Sequence, residues 1–341
     1  MSMRNVVRAA RRPLAIAVLA GLALSGLCGG LPSALAAARG LHTAGSVYLG
    51  SSSIGQSAEA PNGAVYYSRG SKVYVVPGTS APALVVQATG TVLALAANSS
   101  ELFVDVGRTV TGYSLPGGAT RQHWTLSSPF AVTSAGLFAV GGTVWAWTDW
   151  ATDASGLEYA NVSRFTPSSA TVHKVSAGSA YPIYFAADAA GLYYQAVRGN
   201  GTDGYLVHVT PSGSSRRVTD TNIDGPIALA GGRVELLVPH YGSQVSYYID
   251  SYSATSLARV FSRRASSADV DLAGTGAGLL MLAASCSSRV CSSATVSQLA
   301  AATGAAISTL TVPYALDLLA GPSAAVITHK SGSYYLVRLA G

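Results

Sequence analysis

Residues Ile183–Thr219 of the chain read IYFAADAAGLYYQAVRGNGTDGYLVHVTPSGSSRRVT, and this stretch indicates the fold. It contains four short runs rich in aromatic and β-branched residues: Ile183–Ala187, Leu192–Val197, Tyr205–Val209 and Arg216–Thr219. Clusters of Gly, Pro, Asn, Asp and Ser separate the runs, as expected where a chain reverses direction between strands. The stretch therefore predicts four antiparallel strands joined in chain order.

The same unit recurs along most of the chain. Turns that join the third to the fourth run of a unit start at residues 77, 116, 167, 211, 253 and 301, with spacings of 39, 51, 44, 42 and 48 residues. In the first unit we expect the opening strand at Ile54–Gln56. A period near 45 residues with four strands in each repeat is typical of a β-propeller.

The two ends of the chain complement each other. The last unit has only three runs, Leu316–Ala320, Ala324–His329 and Tyr334–Leu339, whereas Ser46–Leu49 is a strand left over at the N-terminal end. Pairing this strand with the last unit closes a ring of seven four-stranded antiparallel blades and removes its open edges. The alternative, two packed β-sandwiches, predicts neither a period nor complementary ends.

Two segments resemble a known repeat. Val296–Thr311, VSQLAAATGAAISTLT, is similar to the repeat of PQQ-like and YVTN-type β-propellers, and Tyr113–Leu126, YSLPGGATRQHWTL, is a looser copy. The resemblance implies the propeller fold. It does not imply an activity, because these families include enzymes, scaffolds and binding proteins. Features of a quinone site, such as a regular tryptophan ladder or adjacent cysteines, are absent from the sequence, and we expect no cofactor.

The first 36 residues have the pattern of an export signal. A basic start precedes the apolar run Leu14–Leu27 and the small-x-small site Ala34–Ala36. We therefore expect a cleaved signal at 1–36, a linker at 37–44 and a single propeller domain at 45–341. The product would be secreted, extracellular or held in the cell envelope, and we expect a monomer without a transmembrane segment.

The leader also accounts for most of the net charge. The chain carries +6, but four arginines lie in the leader, which leaves +2. So small a total argues against nucleic acid as a partner. The leader also contains Cys28, so Cys286 and Cys291 are the cysteines that remain after cleavage. In an oxidising compartment we expect these two to form a disulfide at the tip of a hairpin.

In a propeller, the connections between strands divide between two faces. One face holds the connections from the second to the third strand of each unit and from the fourth strand to the next unit; we call it the loop face. The opposite side, the turn face, has tight and nearly uncharged turns such as Pro116-Gly-Gly and Pro211-Ser-Gly. The longest predicted connection, Thr148–Glu158, lies on the loop face. Binding residues concentrate on long loops of a rigid scaffold.

The candidate binding residues all lie on the loop face, where aromatic side chains beside carboxylates suit a sugar ring or a protein partner. They are Asp149, Trp150, Asp153, Glu158, Tyr159, Arg198, Asp203, His240 and Tyr241. Each has a simpler explanation. Trp150 could pack against a neighbouring blade, and His240 could be an ordinary loop histidine. The loop carboxylates do not match the spacing of a calcium loop, so we predict no metal site.

Two functions remain open. The chain has no nucleophile elbow, HExxH or P-loop motif, so we assign no catalytic residue. This favours an exported binding propeller that captures a glycan, a peptide or an envelope partner on the loop face. The alternative is a secreted hydrolase or lyase with its site in the central funnel, which requires convergent polar groups with perturbed pKa values.

Overall fold

The fold was obtained as a computed structural model. The structure describes residues 40–126, 132, 134–151, 158–176, 181–197, 204–220, 225–240, 245–265, 270–275, 278–287, 290–300, 302–319, 321 and 324–340. All regular structure within these ranges is β-strand, arranged as seven antiparallel sheets of four strands each. This confirms the predicted all-β, seven-bladed propeller.

The strands of the first three blades follow β1 (His42–Gly50), which belongs to blade 7. Blade 1 consists of β2 (Ser57–Glu59), β3 (Val65–Arg69), β4 (Lys72–Val76) and β5 (Ala83–Gln87). Blade 2 consists of β6 (Ala94–Ala97), β7 (Glu101–Asp105), β8 (Thr109–Ser114) and β9 (Thr120–Thr125). Blade 3 consists of β10 (Ser134–Val140), β11 (Thr143–Ala151), β12 (Glu158–Phe165) and β13 (His173–Ser176).

The remaining blades repeat this order. Blade 4 consists of β14 (Tyr181–Asp188), β15 (Gly191–Val197), β16 (Gly204–Val209) and β17 (Ser215–Asp220). Blade 5 consists of β18 (Ile227–Ala230), β19 (Arg233–His240), β20 (Ser246–Ser253) and β21 (Arg259–Arg264). Blade 6 consists of β22 (Val270–Thr275), β23 (Gly278–Ser287), β24 (Val290–Leu299) and β25 (Ala306–Val312). Blade 7 consists of β26 (Ala315–Leu319), β27 (Ala325–Lys330), β28 (Ser333–Ala340) and β1.

The first strands of the blades form the inner ring. Each of them contacts the first strand of the next blade, and β26 of blade 7 contacts β2 of blade 1. The chain therefore winds from the centre of each blade to its outer edge and returns to the centre for the next blade. Local sequence supports these reversals: Gly231 and Gly232, with φ of 55° and 74°, form the two-residue turn between β18 and β19.

The ring closes as the sequence predicts. Strand β1 pairs antiparallel with β28, from His42 opposite Ala340 to Gly50 opposite Tyr334. It begins at His42, inside the segment expected to be a linker. In blade 1 the inner strand is Ser57–Glu59, three residues after the expected Ile54–Gln56.

The core lies between the blades. Separate apolar clusters fill the junctions of blades 1 and 2, 2 and 3, 4 and 5, 5 and 6, and 7 and 1, and one larger cluster covers the junctions of blades 3 and 4 and of blades 6 and 7. Trp145 and Trp147 belong to the larger cluster with 1% and 7% of their surfaces exposed. The indole of Trp147 lies 5.0 Å from the ring of Phe185 in blade 4. This confirms the prediction that at least one of these tryptophans packs between blades.

Polar side chains connect neighbouring blades on the turn face. In each case a donor from one blade reaches a backbone carbonyl in the turn between the third and fourth strands of the next blade. The donors and acceptors are Trp124 Nε1 to Ser169 O at 2.5 Å, Arg164 to Pro211 O and Ser212 O, Tyr193 Oη to Ala254 O at 3.1 Å, and Arg216 to Thr255 O. These bonds fix each turn to the blade before it, which makes the turn face a connected layer.

The junction of blades 7 and 1, where the ring closes, has the same kind of hydrogen bond to a backbone carbonyl and also an ion pair. Arg338 of blade 7 donates to Val76 O at 3.3 Å and to Gly78 O at 3.4 Å in the corresponding turn of blade 1. Its Nη1 also lies 3.4 Å from Glu59 Oε1, and both side chains are buried. Because Gly321 packs against the Glu59 carboxylate, where a Cβ would come within 2.2 Å of Oε2, this position admits only glycine without rearrangement.

Candidate functional site

The long connections on the loop face occur in three consecutive blades. The second and third strands are joined by residues 152–157 in blade 3, 198–203 in blade 4 and 241–245 in blade 5. The same connection contains only two or three residues in blades 6, 7, 1 and 2, namely 288–289, 331–332, 70–71 and 106–108. We call the loop-face ends of blades 3, 4 and 5, with these three connections, the long-loop sector.

Every candidate binding residue predicted from the sequence lies in or next to these connections. Asp149, Trp150, Glu158 and Tyr159 lie at the strand ends of blade 3, and His240 ends β19 in blade 5. Asp153, Arg198, Asp203 and Tyr241 fall in the connections themselves, outside the described residues. The fold thus assigns residues that are up to 92 positions apart, from 149 to 241, to one sector of one face.

Blade 3 corrects the predicted loop. Instead of an open connection over Thr148–Glu158, strands β11 and β12 continue to Ala151 and from Glu158, with Trp150 opposite Tyr159 and Asp149 opposite Ala160. The physical reason is that Trp, Thr and Tyr favour strands. Trp150 is therefore part of a paired strand, and the connection beyond it is shortened to residues 152–157.

His240 is part of a ring pair. It lies half-buried at the end of β19, with its ring 4.3 Å from the ring of Tyr248 on β20. Blade 7 contains a matching pair at its own loop-face end, His329 and Tyr334, again 4.3 Å apart. Sequence reasoning selected His240 alone. The signal that could have identified both pairs is the shared order of a histidine followed within six residues by Ser-Tyr-Tyr, at 240–248 and 329–335.

The two cysteines are also placed by the strand register. Cys286 on β23 lies opposite Cys291 on β24, so both belong to paired strands and not to the turn between them. Directly opposed residues of antiparallel strands have Cα atoms about 4.5–5.5 Å apart, which falls within the range that a disulfide spans. The backbone is compatible with the predicted disulfide, which stays a prediction.

The inner ring contains a polar cluster that sequence reasoning missed. Ser57 of blade 1 donates to Asp317 Oδ2 of blade 7 at 3.3 Å. Asp271 of blade 6 accepts from the backbone N–H of Leu318 in blade 7 at 3.4 Å and from that of Leu272 at 2.8 Å. Since inner strands start at the loop face, the cluster lies near that end of the channel. Its sequence signal was an Asp inside an apolar run in each of two inner strands, Val270-Asp-Leu and Leu316-Asp-Leu.

This cluster has unusual electrostatics. The pKa of Asp271 is raised to about 8, chiefly by burial and also by the nearby Asp317 charge, while the two backbone N–H bonds lower it in part. A carboxyl group with this pKa keeps its proton near neutral pH and can donate it.

The part of the chain that the structure describes contains no group of three or more His, Cys, Asp or Glu side chains suited to a metal ion. Nor do the described residues include a helix long and apolar enough to span a membrane.

Other buried acids lie away from the channel. Burial raises the pKa of Asp105 to about 8, with a partial opposing effect from the hydrogen bond that its carboxylate accepts from Gly107 N. Burial also raises the pKa of Glu235 to about 7, against its hydrogen bond from Ser251 and the charge of Arg233. These groups lie on the second strands of blades 2 and 5, where both are buried between blades.

Comparisons with known proteins agree on the fold. The chain is similar to a chain of the crystal structure of the Mitotic Checkpoint Complex, with a TM-score of 0.57 and 12% identity over 93% of this chain and 99% of that one. It is similar to Kuenenia stuttgartiensis hydrazine synthase, with a TM-score of 0.56 and 12% identity over 83% and 94%. It is also similar to BBS1N in its complex with ARL6DN, with a TM-score of 0.56 and 14% identity over 88% and 97%.

No family model and no curated protein matches the sequence. At 12–14% identity, the structural likeness shows the β-propeller fold and no activity. The finer resemblance to PQQ-like and YVTN-type repeats stays a prediction. Two of the three similar structures, the checkpoint complex and the BBS1N complex, contain their propellers as parts of protein assemblies.

Proposed function

We propose that this protein is an exported binding protein that captures a glycan, a peptide or an envelope partner in the long-loop sector. The observation that carries the proposal is the concentration of long connections in blades 3, 4 and 5, while four other blades close the same position with two or three residues. Tight turns are sufficient to build a blade, so the extra residues serve another purpose. Loops of this kind on a rigid ring commonly hold binding residues.

The side chains around the sector support contact with a ligand. The His240 and Tyr248 rings are in contact, tilted by 40° to each other, and half-buried, so they offer apolar surface with polar edges. Trp150 and Tyr159 occupy opposed positions at the end of blade 3. Aromatic rings held in place by strands lose little conformational entropy on binding, which suits the recognition of sugars or protein surfaces. The protein complexes that contain similar propellers make a protein partner as reasonable as a glycan.

A binding screen with matched variants tests the proposal. The mature protein is screened against an array of cell-wall glycans and by affinity capture from envelope extracts. The hit is then titrated against Trp150→Ala and Tyr248→Ala. The control is Tyr113→Ala, which removes a half-buried tyrosine at the turn-face end of β8. We expect the two loop-face variants to weaken binding at least about tenfold, as for a hot-spot aromatic side chain, and the control to leave it unchanged.

Two results would contradict this proposal. If Tyr113→Ala weakens binding as much as Trp150→Ala, the effect reflects general loss of stability. If the identified partner binds all three variants equally well, the long-loop sector is not the site. Thermal melting of each variant separates the cases, because a contact residue loses affinity with little change in Tm, whereas a packing residue lowers Tm first.

The second candidate function is a hydrolase or lyase with its site in the channel. The observation that favours it is the pair Asp271 and Asp317, of which Asp271 holds its proton near neutral pH as a general acid must. Asp271→Asn is the discriminating variant. An enzyme loses turnover of a chromogenic substrate by at least about a hundredfold with this change. A binding protein keeps its affinity for the partner.

Export and a monomeric state complete the proposal and have direct tests. Two features of the sequence support export: the signal pattern in residues 1–36, and Cys286 and Cys291, which can pair in an oxidising compartment. Mass spectrometry of protein recovered from the culture medium or envelope should give an N-terminus at residue 37. Analytical ultracentrifugation of that protein should give the mass of one chain.

A further inference from the structure

The charges of the chain are distributed unevenly between its interior and its surface. Every acidic residue whose side chain the structure describes is buried or half-buried: Glu59, Glu101, Asp105, Asp188, Glu235, Asp250, Asp271 and Asp317. The exposed charged side chains among the described residues are all basic: Lys72, Arg108, Arg121, Lys174, Arg216, Arg217, Arg259, Arg263, Arg264 and Lys330. The described surface is therefore far more positive than the small total charge indicates.

Half of these exposed cations lie on the outer strands of two neighbouring blades. Strand β17 of blade 4 carries Arg216 and Arg217, and strand β21 of blade 5 carries Arg259, Arg263 and Arg264. By contrast, the outer strands of blades 6 and 1, β25 and β5, carry no charged residue. The positive charge thus forms a local patch on the circumference of the ring.

Three of these arginines lie on the sides of blades 4 and 5 that face each other. Arg216 extends from β17 towards blade 5, where it donates to Thr255 O. On β21, Arg259 approaches the buried Asp250 with 3.8 Å between Nη1 and Oδ2, and Arg264 Nη2 lies 3.4 Å from Ser246 Oγ. On β20, Asp250 and Tyr248 lie two and four residues from Tyr252, so they share the side of blade 5 on which Tyr252 packs against blade 4. Arg259 and Arg264 lie on that side too, because they pair with Tyr252 and Tyr248. We call this feature the arginine groove.

The arginine groove offers N–H donors to anions. Its guanidinium groups are anchored at one end by a carbonyl, a carboxylate or a hydroxyl, yet each has five N–H donors, so most donors remain available. The Arg259 side chain is 60% exposed although it contacts Asp250. On the other side of blade 4, Arg217 lies over the Tyr205 ring at 4.7 Å. Like charges on one surface repel each other, and a bound anion relieves that repulsion.

We propose that the arginine groove binds a linear polysaccharide that bears carboxylate or sulfate groups. Planar guanidinium forks match these groups in geometry. The two six-residue outer strands make a groove about 20 Å long, which suits an extended chain. The groove runs from Arg216 and Arg259 near the turn face to Arg264, which pairs with Tyr248 at the edge of the long-loop sector. The inference rests on the arginines and not on the partner proposed for that sector.

The composition of the groove distinguishes this partner from other polyanions. Single-stranded nucleic acids bind through exposed aromatic rings that stack on bases. Strands β17 and β21 contain one aromatic residue, Phe261. Its ring is half-buried, with its centre 5.9 Å from the Arg233 guanidinium. Binding to a membrane surface requires a broad apolar face, whereas Val260 is the large exposed apolar side chain that these two strands offer.

The experiment measures binding of polygalacturonate and of heparin to the mature protein, with neutral dextran as the reference. The groove variant is Arg259→Gln with Arg264→Gln. The matched control is Arg108→Gln with Arg121→Gln, which removes two exposed arginines from blade 2 on another part of the ring. We expect Kd for at least one polyanion to rise about tenfold or more in the groove variant and less than about twofold in the control, as for two lost charge contacts.

A second double variant, measured with the same polysaccharides, separates loss of binding from loss of folding. Arg259→Lys with Arg264→Lys retains the charge beside Asp250 but loses the planar forks, and we expect an intermediate affinity. Equal losses in the groove variant and the control would overturn the proposal, as would unchanged binding in the groove variant. Tighter binding of oligothymidylate or of vesicles containing phosphatidylglycerol than of either polysaccharide would overturn the assignment of the partner.

Discussion

Removing the closing strand is the sharpest test of this architecture. The comparison is between a chain that starts at Gly40 and one that starts at Ser51, which lacks β1. The deleted segment contributes to the core Leu41, which directly precedes β1, and Val47 and Leu49 of β1, with 9%, 5% and 4% of their surfaces exposed. Leu49 also provides the carbonyl that accepts from Tyr67 Oη at 3.3 Å and from Arg69 Nη2 at 2.6 Å, which links blade 7 to blade 1.

The expected loss is large compared with the stability of a typical domain. Burying one such side chain contributes about 1.5–3 kcal/mol, so three contribute about 5–9 kcal/mol. Typical free energies of unfolding are about 5–15 kcal/mol. The truncated chain should therefore unfold at a much lower urea concentration, or fail to fold at all. Its unpaired β28 would also make it prone to aggregate.

A milder variant keeps the test informative if the truncated chain does not fold. Val47→Ala with Leu49→Ala leaves the strand in place and should cost about 3–7 kcal/mol. Ser46→Ala, at an exposed position of the same strand, should stay within about 0.5 kcal/mol of the parent protein. Urea unfolding followed by tryptophan fluorescence measures all of these. If the chain that starts at Ser51 unfolds at the same urea concentration as the longer chain, the reasoning about closure is wrong.

Three further predictions concern single sites. Arg338→Ala leaves the Glu59 carboxylate buried without its cation and should lower the free energy of unfolding by about 3–5 kcal/mol; a loss below about 1 kcal/mol in urea unfolding would be inconsistent with a closing ion pair. Because the pKa of Asp271 is raised to about 8, the folded state holds a proton that the unfolded state releases above about pH 4, so stability should decline between about pH 4 and 8. Asp271→Asn should reduce the loss of unfolding free energy between pH 5 and pH 8 by up to about 4 kcal/mol. If urea unfolding shows the same loss between these pH values in the variant and the parent protein, the shifted pKa is refuted. The oxidised, denatured protein without residues 1–36 should show no reactive thiol in a titration with Ellman's reagent if Cys286 and Cys291 are joined; two thiols would exclude the disulfide.

The repeat made the architecture predictable. A propeller blade needs four strands and its turns, and both leave clear patterns in sequence, so the number of blades and the closing strand followed from the period and the two ends. The inner strand of blade 1 was placed three residues too early because Ser57-Ala-Glu59 has no apolar run, although all three residues are buried. Here a buried Glu paired with Arg338, 279 residues away, replaces the hydrophobic signal.

The site was predictable in position but not in detail. Loop length identified the correct face, yet the pattern around Trp150 did not show that the strands of blade 3 extend past it, because pairing depends on a partner strand. The Asp271 cluster needs three blades to meet, and no local pattern encodes that meeting. Total charge was the least informative quantity, since a balance of +2 concealed buried acids and exposed arginines.

The register of the closing strand has a consequence for the chain ends. His42 lies opposite Ala340, so the first and last described residues of blade 7 meet on the turn face, where every other blade has a turn between its third and fourth strands. Joining residue 341 to residue 40 would therefore supply the missing seventh turn. New ends could then be opened between residues 152 and 157 of blade 3. The resulting circular permutant should keep the same ring of blades, because its order in space does not depend on which blade the ribosome makes first.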